Sequence, residues 1–280
     1  MKRTKGTTPT QTARLVDGFK QLLEASPGDE NAIQSYLEEH TELIVTPLLL
    51  NHGLHLNAVI SKLAISASLI SDFAYLTKST VSWRLVLIEL EPASTALFTK
   101  KKNLVTESAA LKDALAQVRT WRDELNRSSD AIRKAVLPLL CPPQMRANRL
   151  EFGFVLIVGR DAELLSNQEH RDRFASYEAD DGLIILTYDS LIRGAQLERP
   201  KDVLAARGRG FRMKHLNTEP SNTFGFLGPN ELELTAPQME RLTSVGYDME
   251  AWQKGELLRV NGKLPSSEAD AEFQRLLGKR

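Results

Sequence analysis

The sequence predicts an α/β fold in which a mixed central β-sheet is flanked by helices. Residues 150–158 and 182–188 are apolar almost throughout, which is typical of strands buried on both faces. Other stretches repeat apolar residues with helical spacing, so the predicted order is helix, three strands, helix and strand, then helix and strand. We assign residues 29–198 to this domain, residues 1–28 to an N-terminal tail and helix, and residues 199–280 to a basic linker and a small C-terminal appendage.

The composition is that of a globular protein without overall charge. The 280 residues include 36 Lys and Arg and 36 Asp and Glu, which excludes a protein coated in basic charge. Cys141 is the only cysteine, so an intrachain disulfide or a cysteine-based zinc site is excluded and a reducing compartment is expected. The N-terminus does not resemble a signal peptide, and no apolar run is long enough for a membrane helix. We therefore expect a cytoplasmic protein with no membrane partner.

Two helices and a strand are predicted before the centre of the sheet. Residues 12–25 place apolar side chains on one helical face, and the Ser-Pro-Gly sequence that follows ends this helix. Asp29 is the predicted N-cap of a second helix, which continues to about Val45 and carries Glu30 in its first turn. Residues 57–66 mix β-branched and small residues, which predicts the first strand.

The chain is organised around a predicted hairpin between residues 70 and 90 that carries acidic side chains at its open end. Two β-prone runs are joined by a turn near Thr80, and this turn places Asp72 opposite Glu89, with Cβ atoms about 5 Å apart. Glu91 lies on the same face as Glu89 because strands alternate with a period of two. Three converging carboxylates in an apolar hairpin cost free energy unless a cation satisfies them. The sequence therefore predicts a site for Mg²⁺ or Mn²⁺.

A loop and a long helix follow the hairpin. Residues 93–103 are predicted to be a loop or a short irregular excursion. Thr106 or Ser108 opens an amphipathic helix to about Leu125, and Gln117 lies on its apolar face, where it needs a hydrogen-bond partner.

Beyond the last buried strand the predicted elements are short. Asp189 is the predicted N-cap of a short helix, Thr235 begins a capping box, and residues 257–260 are a candidate strand. Residues 199–214 have no clear periodicity, which indicates a linker or surface loop. Its basic side chains either face solvent or contact nucleic-acid phosphates; they are Arg207, Arg209, Arg212 and Lys214.

The acidic residues fit part of the PD-(D/E)xK nuclease motif. In that motif an acid on one strand, and an acid two residues before a lysine on the next, hold Mg²⁺ and activate a water for attack on phosphorus. Asp72 and Glu89 fit this spacing, but Glu91 stands at the lysine position. A third carboxylate favours a second metal ion; alternatively, a lysine reaches the site from elsewhere, and Lys100 and Lys62 are the candidates.

Several segments, in order along about residues 29–195, resemble the Shedu antiphage-defence family, whose C-terminal nuclease domain belongs to the PD-(D/E)xK superfamily. The resemblance rests on ENAIQSYLEEHTELI, SDFAYL, WRLVLIELEP, LFTK, ALAQVRTW, FGFVLIVGRDAEL and LIILTYDSLI, and the last two are the most specific. It implies a restriction-endonuclease-like core and nucleic-acid cleavage in phage defence. It also implies a homo-oligomer, either a dimer or a tetramer, with a phage protein as a candidate trigger.

The resemblance also implies roles for individual residues. Glu30 would be an upstream acid that joins Asp72 and Glu89 around the metal, although an acid favoured by the helix dipole is the simpler explanation of Glu30. Gln117 would lie beside the active site. Trp121 would take the place of the family's aromatic residue that follows this glutamine in the helix, with core packing as the alternative.

Two functions remain open from the sequence. The first is a metal-dependent DNA endonuclease that acts in antiphage defence. The second is a catalytically degenerate module that binds nucleic acid or a phage protein on a nuclease fold, because Glu91 replaces the motif lysine. A third role, for the C-terminal appendage, is assembly of the oligomer. No phosphate-binding glycine loop indicates nucleotide hydrolysis, and His52 and His55 have no third zinc ligand beside them in sequence.

Overall fold

The computed structural model describes residues 9–101, 104–220 and 222–258. Two of the helices begin at side-chain caps: Asp29 accepts a hydrogen bond from the Ala32 amide, and Ser108 accepts one from the Leu111 amide. The helices are α1 Pro9–Ala25, α2 Glu30–Glu39, α3 Ala109–Arg127, α4 Asp130–Val136, α5 Ala162–Leu165, α6 Gln168–Asp181, α7 Tyr188–Gly194, α8 Ala236–Ser244 and α9 Met249–Gln253.

Eight strands form one mixed sheet, and two strands form a separate hairpin. The large sheet has the order β10-β9-β8-β1-β2-β3-β6-β7, and β4 pairs with β5. The strands are β1 Ala58–Ala64, β2 Ile70–Lys78, β3 Ser82–Leu90, β4 Phe98–Lys101, β5 Leu104–Glu107, β6 Arg149–Ile157, β7 Leu183–Leu186, β8 Asp202–Arg207, β9 Gly210–His215 and β10 Leu232–Glu233.

The strand directions bring five strand ends to one edge of the sheet. Strand β2 is antiparallel to β1 and β3, whereas β3 is parallel to β6, β6 to β7, and β1 to β8. The carboxyl ends of β1, β3, β6, β7 and β8 therefore meet at a single edge, which we call the carboxyl edge. The predicted α/β fold with a mixed central sheet flanked by helices is confirmed.

The predicted register of the central hairpin is also confirmed. Phe73 pairs with Ile88 and Lys78 with Trp83, so Asp72 lies opposite Glu89 at the carboxyl edge. Adjacent positions of β3 face opposite helical layers. Val86 and Ile88 belong to the apolar cluster that includes α1, α2 and α7, and Leu87 belongs to the cluster that includes α3. Glu89 consequently faces the α3 layer.

The interpretation of residues 199–214 as a linker or surface loop is wrong, because these residues supply two strands of the main sheet. Strand β8 pairs with β1, from Ala58 opposite Asp202 to Ser61 opposite Ala205. In β9 the buried Phe211 and Met213 alternate with exposed basic residues. This is a period-two pattern of a half-buried strand, which the many charges obscure in the sequence. The proposed division into domains stays a prediction.

Other local predictions differ from the structure in smaller ways. The excursion at residues 93–103 includes β4 of the separate hairpin, and the second helix ends at Glu39 rather than near Val45. The N-cap of α7 is Thr187, whose side chain accepts a hydrogen bond from the Ser190 amide. The capping box at Thr235 is present. Residues 1–8 of the N-terminal tail lie outside the described residues, as do residues 259 and 260 of the candidate strand, whereas residues 257 and 258 are described and are not in a strand. No helix in the described ranges has the length and apolar character needed to cross a bilayer.

Candidate active site at the carboxyl edge

A buried pair of carboxyl groups lies where β2 and β3 reach the carboxyl edge. Glu89 is only 7% exposed, and its side chain lies within hydrogen-bonding distance of Asp72. Gln117, from α3, donates its amide to Glu89 Oε1. The Leu90 amide donates to Asp72 Oδ2 over 2.7 Å, so the backbone of β3 orients Asp72. The structure thus brings together three residues that the sequence predicted for the site.

Burial and mutual repulsion disfavour the charged forms of these acids. Burial raises the pKa of Glu89 well above its usual range, and the neighbouring Asp72 and Glu91 carboxyls raise it further. Burial raises the pKa of Glu91 to about 7, with further contributions from Glu30 and Asp72. Burial also raises the pKa of Glu30, and Asp72 adds to this effect. Four acidic side chains therefore interact electrostatically at one point of the sheet edge.

The backbone of Glu91 is fixed on both sides. Its N–H donates to the Ile157 carbonyl over 2.9 Å, which continues the pairing of β3 with β6 beyond the end of β3. Its carbonyl accepts a hydrogen bond of 2.8 Å from the hydroxyl of the buried Tyr188. This role of Tyr188 was not predicted from the sequence, although a tyrosine shortly after a buried strand is a usable signal. The hydrogen bond from Tyr188 therefore helps to fix the position of the Glu91 backbone, from which the carboxyl side chain extends.

The donor set fits a divalent cation held by two carboxylates rather than by three. In the part of the chain that the structure describes, no three His, Cys, Asp or Glu side chains already form a metal-binding group. However, Glu89 Oε2 is buried and receives no hydrogen bond from a described residue, and the adjacent Asp72 can offer only acceptors when ionised. Two facing acceptors require a shared proton or a cation. Mg²⁺ commonly takes one or two protein carboxylates and completes its shell with water and phosphate oxygens.

A lysine from β1 contacts the acid pair. Lys62 Nζ lies 2.5 Å from Asp72 Oδ1, and the Lys62 side chain is 51% exposed. Lys100 lies in β4, and the position of its side chain is outside the described part of the structure. The structure brings Lys62, one of the two lysines that the sequence offered, to the acid pair.

The four predicted phosphate-binding residues divide into two kinds. Lys214 Nζ lies 2.7 Å from Glu38 Oε2, and Glu38 is 3% exposed, so Lys214 is a partly exposed lysine that pairs with a buried carboxylate. Arg207 Nε lies 2.7 Å from Glu233 Oε2 in an exposed ion pair. Arg209 and Arg212 are exposed, and neither has an ion-pair partner within the described ranges. The β8–β9 turn places Arg209 at the carboxyl edge, on the same side of the sheet as the ends of β1 and β3.

An arginine clamp joins the two chain segments that close the sheet. Arg160, just after β6, binds Asp189 through two nitrogens, at 2.9 and 2.8 Å. Asp189 also accepts a hydrogen bond of 2.8 Å from the Asp161 amide, and these bonds hold its pKa below the usual range even though burial alone would raise it. A bidentate guanidinium–carboxylate pair fixes geometry as well as distance. The clamp therefore holds α7, which begins with Tyr188, against the end of β6.

Comparison with known proteins identifies the family. No curated protein matches the chain in sequence. The family described as "Shedu protein SduA, C-terminal" matches residues 28–192, which is more than half of the chain and includes the acid pair, Gln117 and the arginine clamp. The resemblance found in the sequence is confirmed, and the chain belongs to the Shedu SduA family through this C-terminal region.

Proposed function

We propose that this protein is a metal-dependent DNA endonuclease of the PD-(D/E)xK type that acts in antiphage defence. Membership of the Shedu family suggests antiphage defence. The observation that carries the enzymatic part is the buried Glu89, which has an unpartnered oxygen and lies against Asp72 at the carboxyl edge. Open α/β sheets commonly bind ligands beyond the carboxyl ends of their strands.

The side chains present suit hydrolysis of a phosphodiester. A water oxygen forms a bond to phosphorus, the bond from phosphorus to the leaving oxygen breaks, and the water gives up one proton. Asp72 and Glu89 would hold Mg²⁺ or Mn²⁺, which when bound supplies Lewis-acid polarisation of the phosphate and acidifies water. Glu91, whose pKa is raised to about 7, is suited to accept the proton near neutral pH. Gln117 keeps the Glu89 carboxyl oriented from α3.

The test of this function is metal-dependent cutting by the purified full-length protein. We expect nicking or linearisation of plasmid DNA with Mg²⁺ or Mn²⁺, no product with chelator, and no product from Glu89→Ala. Glu151→Ala is the matched control, because Glu151 is a half-buried glutamate on β6 that pairs with Arg84 at 3.1 Å, far from the carboxyl edge. Equal cutting by wild type and Glu89→Ala would disprove this site, and a parallel RNA substrate tests the choice of DNA.

A second function is favoured by one observation, which is that Glu91 occupies the position of the motif lysine. On that reading the protein is a degenerate nuclease that binds nucleic acid or a phage protein without cutting. Binding that survives chelation, with no product under any metal, would support this reading. Any product that depends on Glu89 would eliminate it. The homo-oligomeric state remains a prediction, which solution mass measurements test independently of either function.

Arg209 and Arg212, the exposed arginines of the β8–β9 hairpin without a described ion-pair partner, are proposed to contact the DNA backbone. Strand β8 lies two strands from β2, about 10 Å away at the usual strand spacing, so the hairpin turn is within a few nucleotides of the acid pair. We expect the double change Arg209→Ala and Arg212→Ala to weaken DNA binding and to reduce the slope of log affinity against log salt by about 1 to 2 units. Fluorescence anisotropy in chelator at several salt concentrations measures both quantities.

Arg207→Ala provides the comparison on the same hairpin, because Glu233 already pairs with Arg207. We expect it to change the salt slope less than the double variant does. A salt slope in the double variant equal to that of wild type would mean that the DNA does not pass over this hairpin.

A further inference from the structure

We propose that Lys62, on β1, supplies the catalytic ammonium of this site in place of the lysine that is missing at position 91. This inference rests on the proposed nuclease function and adds a residue to it. It starts from the contact of 2.5 Å between Lys62 Nζ and Asp72 Oδ1. Lys62 is on β1, whereas the usual acid-x-lysine pair would lie on β3.

The backbone at Lys62 is in a conformation that the strand itself does not require. Lys62 has a φ of 50°, in the left-handed region, although it lies within β1 and is not a glycine. The register is the same on both sides, with Ser61 opposite Phe73 and Leu63 opposite Ser71, so no extra residue has been inserted. A long side chain in this region costs free energy, and such residues concentrate at functional sites where the surroundings hold them in place.

The neighbours of Lys62 are anchored strongly enough to hold it in this conformation. Ser61 Oγ donates to Glu38 Oε1 over 2.5 Å and accepts from Gln34 Nε2 at 3.3 Å, and all three residues are buried. On the other side Leu63 is buried, and its carbonyl accepts a hydrogen bond of 3.4 Å from Ser71 Oγ. Ser61 is bonded to α2, whereas Leu63 packs in the α3 layer on the other face of the sheet. The change of side-chain direction between them falls at Lys62, and the Lys62 ammonium reaches Asp72.

The position of this ammonium suits a role toward substrate rather than toward the fold alone. A single contact with Asp72 Oδ1 leaves donors of the ammonium unused, and about half of the side chain is open to solvent. The acids that interact with Lys62 are Asp72, Glu89 and Glu30, and when ionised they would repel a nucleic-acid phosphate. A cation at the open side of this cluster can neutralise charge on the reacting phosphate and donate a hydrogen bond to the attacking water. An ordinary half-exposed ion pair would give the fold little stability.

The experiment replaces the ammonium and then restores it chemically. The one native cysteine, Cys141, is 1% exposed, so Lys62→Cys introduces a single accessible thiol. Alkylation with bromoethylamine rebuilds a side chain of lysine length that ends in an ammonium, whereas alkylation with iodoacetamide adds a neutral group of similar size. Lys20→Met, on the exposed face of α1, is the matched control for the loss of one lysine. Plasmid cleavage and Mn²⁺ affinity by calorimetry without DNA are measured for each form.

We expect Lys62→Cys to cut DNA about 100-fold more slowly than wild type, with recovery only after aminoethylation. We also expect it to bind Mn²⁺ about 3- to 10-fold more tightly, because a positive charge beside a ligand has been removed, and aminoethylation should reverse this change. Cleavage by Lys62→Cys at the wild-type rate, or equal recovery with both reagents, would overturn the role of Lys62.

The two proposals fail in different ways. If wild type binds Mn²⁺ but never cuts, the nuclease function fails, and an Mn²⁺ affinity unchanged in Lys62→Cys would then remove Lys62 from the site. If wild type cuts and Lys62→Cys cuts equally well, only the inference about Lys62 fails. A wild-type protein that neither cuts nor binds Mn²⁺ overturns both proposals.

Discussion

Glu89→Gln is expected to abolish metal-dependent cleavage and, at the same time, to make the metal-free protein more stable. The wild-type carboxyl is buried, is adjacent to Asp72, and has one oxygen without a donor. A glutamine amide of the same shape can accept from Gln117 through its oxygen and donate to Asp72 through its nitrogen. Repulsion is thereby replaced by a hydrogen bond, whereas the ligand charge that a divalent cation needs is lost.

The size of this stabilisation depends on pH in a defined direction. The folded-state pKa of Glu89 is raised above the ordinary value of about 4.3 for glutamate. The folded wild-type protein therefore holds a proton that the unfolded chain has released, and its stability falls as pH rises above about 5. Glutamine does not titrate, so the advantage of Glu89→Gln should grow toward alkaline pH and reach about 2 kcal/mol or more near pH 8, since each pKa unit is worth about 1.4 kcal/mol.

Thermal and urea unfolding in chelator, from about pH 5 to about pH 9, measure this effect. Added Mn²⁺ should stabilise wild type and leave the midpoint of Glu89→Gln unchanged, because a ligand stabilises only the protein that binds it. Glu151→Gln, at the half-buried pair with Arg84, is the matched control for the loss of one glutamate away from the carboxyl edge. A Glu89→Gln variant that is less stable than wild type at pH 8 would mean that the Glu89 carboxyl does not destabilise the metal-free protein.

The part of this site that could be predicted from the sequence is the part fixed by strand periodicity. Once a turn is placed near Thr80, the period of two determines that Asp72 and Glu89 are opposite each other, and the structure has this register. Gln117 was similarly predictable, because a polar side chain among the apolar positions of a helix needs a partner. These inferences involve only local geometry and the cost of burying a polar group.

The parts that could not be predicted depend on contacts between distant segments. Strand β8 adds to the sheet beside β1, more than 100 residues earlier, and its short, charged sequence gives little indication of pairing. Lys214 looks like a surface lysine until α2 places the buried Glu38 beside it. The left-handed conformation of Lys62 has no signal in the sequence at all, because it results from anchors on both of its neighbours. Each of these three features is determined by packing between segments distant in sequence rather than by the local secondary-structure propensity of the residues.

Lys214→Met is expected to destabilise the fold by about 3 kcal/mol, which a lysine that only contacts DNA would not do. The ammonium of Lys214 bonds both oxygens of Glu38, at 2.7 and 2.8 Å, and His215 Nε2 lies 3.5 Å from the same carboxylate. Burial alone would raise the pKa of Glu38, but the hydrogen bonds from Lys214 and Ser61 hold it below its usual range. Removing Lys214 leaves a carboxylate that is 3% exposed without its main counter-charge.

The contribution of Glu38 to stability depends on pH with the opposite sign to the contribution of Glu89. A carboxyl whose folded-state pKa is lowered contributes stability above its unfolded value of about 4.3, and this contribution is lost as pH falls. The difference between wild type and Lys214→Met should therefore be full at neutral pH and should shrink below about pH 4. Urea unfolding at several pH values measures it.

Arg212→Ala is the control for this second prediction, because Arg212 lies two residues earlier on the same strand and is exposed. We expect its stability to stay within about 0.5 kcal/mol of wild type while its DNA affinity falls. Lys214→Met should show the reverse, with a large loss of stability and nearly unchanged DNA affinity per folded molecule at low temperature. A Lys214→Met protein that is as stable as wild type but binds DNA weakly would restore Lys214 to the DNA-binding surface and would mean that Glu38 is satisfied by Ser61, Gln34 and His215 alone.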